Sequence, residues 1–347
     1  MKTKIQDMTS GSPGRLIILF AIPLMLGNIC QQLYTMVDTM VVGQVVGVEA
    51  LAALGAVDFL MWVVTGISTG LTQGFSIQLS QYYGAKDFEN LRKSLAHSYR
   101  LTAFIAAGVL ILSQSFASLV LTGLHTPSNI IGMSLLYLRI IFCGIPATAA
   151  YNMFASALRA MGNSKTPLTA MIIASVLNVS LDILFVAGFG WGVAGAAIAT
   201  VIAQSFSAVY CFLILRRIDI VHLTRADFMP ASGMNARLMK LGIPVVFQNI
   251  IIGVGGLVVQ YVINGYGFLF VAGFTATNKL YGLLEMAAIS YGYAIVTYVG
   301  QNLGAGKIDR IRKGVRSSML LSLLTSLIIS AAMFLFGKKY SLTFHLR

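Results

Sequence analysis

Two acidic residues lie inside apolar runs with no basic residue nearby to offset them. Asp38 stands in QQLYTMVDTMVVG, residues 31–43, and Arg15 is its nearest basic residue; Asp182 stands in NVSLDILFVAGFG, residues 178–190. Each has a polar residue four positions earlier, Tyr34 and Asn178, so each pair shares one face of a helix. Asp38 precedes Gly43 by five residues and Asp182 precedes Phe189 by seven, which puts both carboxylates about 7–11 Å from the same side at 1.5 Å per residue. They can therefore face one cavity. A carboxylate inside a bilayer costs roughly 2.5–3.5 kcal/mol on insertion scales, and two at one depth repel each other when both are ionised. Such a pair could take up and release a proton. The same residues also allow a blander reading, in which each Asp snorkels to the interface or caps a helix end.

The elements that must carry these residues are membrane helices. Hydrophobic residues make up 57% of the 347 and charged residues 10%, with a mean hydropathy of +0.82, a balance that one globular core does not explain. A hydrocarbon core of about 30 Å needs roughly 20 apolar helical residues. Segments of that kind fall near 16–42, 51–81, 100–122, 130–157, 168–189, 193–215, 239–264, 270–301 and 317–337, which makes nine expected spans. They are continuous apolar runs rather than alternating ones, so a barrel is excluded and the fold class is an all-α polytopic membrane protein. The first fifteen residues are polar, no signal peptide is read, and the first span is expected to stay as a helix.

The net charge of +13 is positional. Lys and Arg collect before span one (Lys2, Lys4, Arg15) and in every second loop, at Lys86, Arg92 and Lys93, at Arg159 and Lys165, at Arg216, Arg217, Arg225 and Arg237, and at Lys307, Arg310, Arg312 and Lys313. The loops between, around 43–50, 123–129, 190–192 and 265–269, have none; Lys338 and Lys339 break the alternation. This pattern predicts a cytoplasmic N-terminus in the cell (inner or plasma) membrane and removes the reason to expect nucleic acid as a partner. Cys30, Cys143 and Cys211 lie in apolar segments without metal-ligand spacing and read as packing residues. His97, His125, His222 and His345 have no partner spacing, and the first three lie near or in loops, where solvated positions are expected. No nucleophile or metal constellation gathers at one depth, so the chain does not read as an enzyme.

An internal repeat divides the chain. QYYGAKDFENLRKSL from Gln81 and QNLGAGKIDRIRKGV from Gln301 match at an offset of 220, at Gln81, Gly84, Ala85, Arg92 and Lys93 against Gln301, Gly304, Ala305, Arg312 and Lys313. A one-residue shift aligns AIPLMLGN with GIPVVFQN, so that Pro23 and Asn28 correspond to Pro244 and Asn249. The repeat predicts a six-helix lobe over 1–215, a cytoplasmic linker over 216–237 and an incomplete second lobe of about three helices over 238–347. An even number of spans between the repeats gives both lobes one orientation, related by an axis along the membrane normal. Pro23 and Pro244 then occupy equivalent positions and are candidate helix hinges, with simple tolerated kinks as the alternative.

Several motifs in order resemble the multidrug and toxic compound extrusion (MATE) family of antiporters: the stretch from Pro23 through QQLYTMVDTMVVG, the QYYGAKD turn, RAMGNSKTP, and NVSLDILFVAGFGWGVAGAAIAT. The resemblance covers nearly the whole chain. It implies a two-lobe bundle of twelve helices, of which about nine are present here, so that the last three are expected to be missing. It further implies alternating-access export of small cationic, amphipathic compounds in exchange for protons or sodium, without a cofactor. The coupling residues it implies are Asp38 with Tyr34 on span one, Asn178 and Asp182 on span five, and Thr200 on span six; Tyr137 on span four is read as a substrate-binding residue. One branch of the family has a glutamate early in its seventh helix; IPVVFQNIIIGVGG offers none, which favours H+ over Na+ as the coupling ion. Glu285, inside span eight, reads as a substrate-binding residue or a structural polar contact, with Lys279 six residues before it. A lipid-linked saccharide flippase of related fold and an inactive truncated fragment are the alternatives. The first would be expected to have a more cationic cavity.

Overall fold

The computed structural model describes the backbone of residues 5–123, 126–264 and 268–344, and the side chains of these except 48, 59, 257, 260–261, 263–281, 283–285 and 332–344. Within them every regular element is helical. The chain forms α1 (Pro13–Val45), α2 (Val48–Gly55), α3 (Asp58–Gly84), α4 (Phe88–Gly123), α5 (Ile131–Cys143), α6 (Ile145–Ala160), α7 (Lys165–Asp182), a π-helical turn (Ile183–Gly188) and α8 (Gly192–Arg216). After two 3-10 turns (Asp219–Val221 and Arg225–Phe228) come α9 (Met234–Asn264), α10 (Phe268–Gly304) and α11 (Ile308–Phe344).

Seven stretches of the described residues are long and apolar enough to cross a membrane. An eighth is the pair α5 and α6, bent by 46° where Gly144 and Pro146 interrupt what the composition presents as one span over 130–157. The expected span over 51–81 lies within the single stretch Glu49–Gly84, in which α2 ends at Gly55 and α3 starts at Asp58. The expected span over 270–301 lies within α10, whose first part falls outside the described side chains. Large apolar side chains such as Phe104 (72% exposed) and Ile328 (69%) cover the outside of the bundle, as lipid-facing surfaces require. Pro23 is buried and Pro244 exposed, and both lie inside continuous helices.

In the first lobe α7 packs between α1 and α8, while α6 fills the space among α3, α4 and α8. The second lobe meets the first through α9 on α3 and through α10 on both α1 and α3. The repeat shows in these contacts. Asn28 of α1 donates to the Ser290 hydroxyl of α10 (3.2 Å), and its counterpart Asn249 of α9 donates to the Gly66 carbonyl of α3 (3.1 Å). At the basic end of the bundle the two Gln-x-x-Gly-Ala motifs cross face to face. A Cβ on Gly84 would collide with the Gln301 carbonyl, and one on Gly304 with the Gln81 carbonyl.

The linker folds back on α4. Asp227 closes a capping box with Thr224 and lies 3.7 Å from Arg92, and Arg100 donates to the Phe228 carbonyl (2.9 Å). His97, expected in solvent, is instead only 3% exposed, with its ring nitrogens 2.7 Å from Asn235 Oδ1 and 3.0 Å from the Met229 carbonyl. The linker covers it. His222 is exposed as expected, whereas His125 and His345 lie outside the described residues.

Candidate functional site

Four helices of the first lobe bring polar groups to one place. Tyr34 and Asp38 descend one face of α1, Asn178 and Asp182 one face of α7, and Thr200 and Gln204 one face of α8, each pair spaced by four residues. α1 packs on α7, on the π turn and on α8, which draws the three faces together. Tyr137 of α5 is 5% exposed and Tyr34 of α1 is 9% exposed.

Burial is nearly complete. Asp38 is 5% exposed, and Asn178 and Asp182 are fully enclosed. The Asn178 amide donates to the Thr200 hydroxyl at 3.4 Å, and the Gln204 amide donates to the Tyr34 hydroxyl at 3.3 Å. Against these few bonds stands a set of buried oxygens that accept none from the described residues: both carboxylate oxygens of Asp182, Oδ1 of Asp38, Oδ1 of Asn178 and Oε1 of Gln204. No ion pair among the described residues reaches either aspartate. A buried carboxylate without donors is costly when ionised, so the arrangement suits a proton or a small cation as its counterpart.

Local backbone contributes to this. The chain turns π-helical directly after Asp182, with the Phe189 amide bonded to the Leu184 carbonyl at 2.9 Å. One extra residue per turn rotates the segment beyond Asp182 relative to α7, which stacks Phe185 against Trp191 (centroids 5.0 Å apart) and against Phe189 (6.0 Å). Asp182 is thus the last residue before an irregular turn, a placement often associated with function.

The six residues Tyr34, Asp38, Tyr137, Asn178, Asp182 and Thr200 therefore gather in the first lobe. The side chains of Glu285 and Lys279 lie outside the described residues. Gln204 and the π turn join the site without a motif to announce them; the only sequence signal for Gln204 is its spacing of four from Thr200.

Known proteins resemble this chain in sequence and in fold. The sequence profile described as MatE matches residues 23–184 and 244–346, most of both lobes. The chain belongs to the MatE family. That is the multidrug and toxic compound extrusion family that its motifs resemble, and MatE proteins are membrane transport proteins. A probable multidrug resistance protein of Bacillus subtilis, YpnP, is 32% identical over 89% of this chain and 69% of its own length. A probable multidrug resistance protein of Thermotoga maritima, NorM, is 26% identical over 92% of this chain and 70% of its own. Among solved structures, an outward-facing multidrug resistance MATE family transporter superposes with a TM-score of 0.91 at 23% identity, covering 99% of this chain and 76% of that one. A MOP superfamily transporter from Pyrococcus furiosus, described by a binding pocket of reverse polarity and a different function, gives a TM-score of 0.93 at 22% identity, with 100% and 77% covered. At these identities the structural likeness speaks to the fold, which this MatE chain shares.

Proposed function

We propose that this MatE chain is a secondary active exporter of small cationic, amphipathic compounds, driven by protons entering in exchange through alternating access. The observation that carries the proposal is the buried set of oxygens on Asp38, Asn178 and Asp182 that have no hydrogen-bond partner among the described residues. Such a set favours positively charged occupants and disfavours phosphate-bearing ones. Similarity to relatives called multidrug resistance proteins supports the same reading. Protonation of the Asp38 and Asp182 pair from outside neutralises the site, releases a bound cation, and biases the two lobes toward opening at the basic end. That end faces the cytoplasm of the cell membrane on the distribution of Lys and Arg. Pro23 and Pro244, at equivalent places on α1 and α9, provide points at which those helices bend.

The test is efflux of a fluorescent cation from cells or proteoliposomes under an imposed proton gradient. Export should follow the gradient and fail in Asp38→Asn. An Asp38→Asn protein that exports against a gradient at the normal rate sinks the proposal, and a dependence on sodium in place of protons corrects the coupling ion.

A further inference from the structure

At the basic end the second lobe grips a single residue of the N-terminal segment by its backbone. The Met8 amide donates to Gln301 Oε1 (3.0 Å), and the Met8 carbonyl accepts from Asn302 Nδ2 (2.9 Å) and from Arg310 (3.4 Å). Gln301 and Asn302 are both fully buried. The Met8 side chain is also fully buried, in an apolar slot within the cluster it shares with Ile17 and Phe20 of α1 and Tyr291, Ala294 and Tyr298 of α10. Downstream, Lys307 donates to the Thr9 carbonyl (2.9 Å) and Arg310 to the Gly11 carbonyl (2.9 Å).

Upstream the same segment is fixed to the first lobe. The Gln6 amide donates to the Gly162 carbonyl (3.1 Å) in the turn between α6 and α7, where Gly162 at φ +90° leaves no room for a Cβ against Gln6. Gln301 itself donates to the Ala160 carbonyl at 2.9 Å, a direct bond between the lobes beside the segment. Residues 6–11 thus cross from one lobe to the other, over the place where the two Gln-x-x-Gly-Ala motifs meet. Without them, Gln301 Oε1 and the apolar slot would lose their partners, and Asn302 Nδ2 would keep only its bond to the Tyr298 carbonyl (2.8 Å); a buried polar group left unpaired is costly.

We propose that the basic end carries a built binding site, shared by α1, α10 and α11, for a methionine-anchored turn, filled by the chain's own residues 6–11, and that its occupancy ties the lobes shut at that end. Opening at that end requires the strap to leave its site. The consequence for transport rests on the alternating-access reading above; the site itself does not.

The test uses a chain in which Cys30, Cys143 and Cys211 are replaced by Ser and Ala294→Cys reports on the slot. Maleimide labelling of purified protein is compared with and without residues 1–10, and with a synthetic peptide of residues 1–12 added back. Removal should raise the labelling rate about tenfold; the peptide should restore protection, and the same peptide with Met8→Asp should not. In the full-length chain, Gln301→Ala with Asn302→Ala should raise labelling as removal does. An unchanged rate on removal, a rise that the peptide does not reverse, reversal by both peptides alike, or no effect of the double substitution would each overturn the proposal. Failure of cation export with strap binding intact would instead count against the transport reading alone.

Discussion

Gln204 on α8 donates its amide to the Tyr34 hydroxyl on α1 at 3.3 Å, one turn from the Asn178 to Thr200 bond that joins α7 to α8. Through these two bonds α8 ties both carboxylate-bearing helices to itself. The other end of the Gln204 amide, Oε1, is buried and has no hydrogen-bond partner among the described residues. The Tyr34 hydroxyl has a further neighbour in Gln31, on its own helix, so it does not depend on Gln204 alone. Gln204→Leu should therefore cost only about 1 kcal/mol of stability through this bond. Melting temperatures of Gln204→Leu, Tyr34→Phe and the double variant should show a coupling of roughly 0.5–1.5 kcal/mol. Strict additivity would mean that the bond holds nothing in place.

Asp182 is enclosed, and neither of its oxygens accepts a hydrogen bond from the described residues. Asn has the same shape without the charge, so Asp182→Asn should leave the fold intact or make it more stable, while removing ion-coupled export. The expected pattern is an equal or higher melting temperature together with about a tenfold or greater loss of gradient-driven efflux. A variant that melts well below the parent would show that the carboxylate holds the structure rather than an ion.

How much of the site is legible in the sequence depends on the kind of signal. The shared depth of Asp38 and Asp182 comes from counting residues, because the rise of a helix is fixed; both carboxylates are buried. The grouping with Thr200 and Tyr137 comes from resemblance to a family, since nothing in a single helix tells which neighbour it meets. Gln204 is hard to single out because α8 is rich in small residues and its faces look alike. The π turn after Asp182 changes the helical period by one residue in an apolar run, which leaves no mark in composition. His97 reads as solvated for a related reason: its own helix is visible in the sequence, while the linker that folds over it from more than a hundred residues away is not. The repeat makes Gly84 and Gly304 equivalent. It does not tell that each touches the other's motif.

That contact makes a paired prediction. Gly84 faces the Gln301 carbonyl and Gly304 faces the Gln81 carbonyl, and neither place has room for a Cβ. Gly84→Ala and Gly304→Ala should each destabilise the closed basic end by about 1–3 kcal/mol, the usual range for overpacking. Because either substitution separates the same crossing, the double variant should cost less than the sum of the two. Thermal melts of the three proteins give the comparison, and full additivity would show that the two glycines pack independently.

The strap also predicts a pH response. Asp7 precedes Met8 and accepts from the Thr9 amide and hydroxyl, both at 2.7 Å, and from the Ser10 hydroxyl at 3.3 Å. Its partial burial acts to raise its pKa, but these bonds, together with the charge of Lys307, hold it below its ordinary value of 3.8. A group whose pKa is lower when folded adds stability above its unfolded pKa and loses it as pH falls through the folded one. Asp7 therefore supports the strap at full strength throughout the neutral range and releases it only below about pH 4. Maleimide labelling of the Ala294→Cys reporter should accordingly be flat from about pH 5 to pH 8 once corrected for thiolate content, and rise in more acid solution. Asp7→Asn should label faster than the parent at neutral pH, by a factor of a few, and should match it in acid, where the parent has lost its charge. A parent protein whose corrected labelling changes near neutrality would place control of the strap on a group other than Asp7.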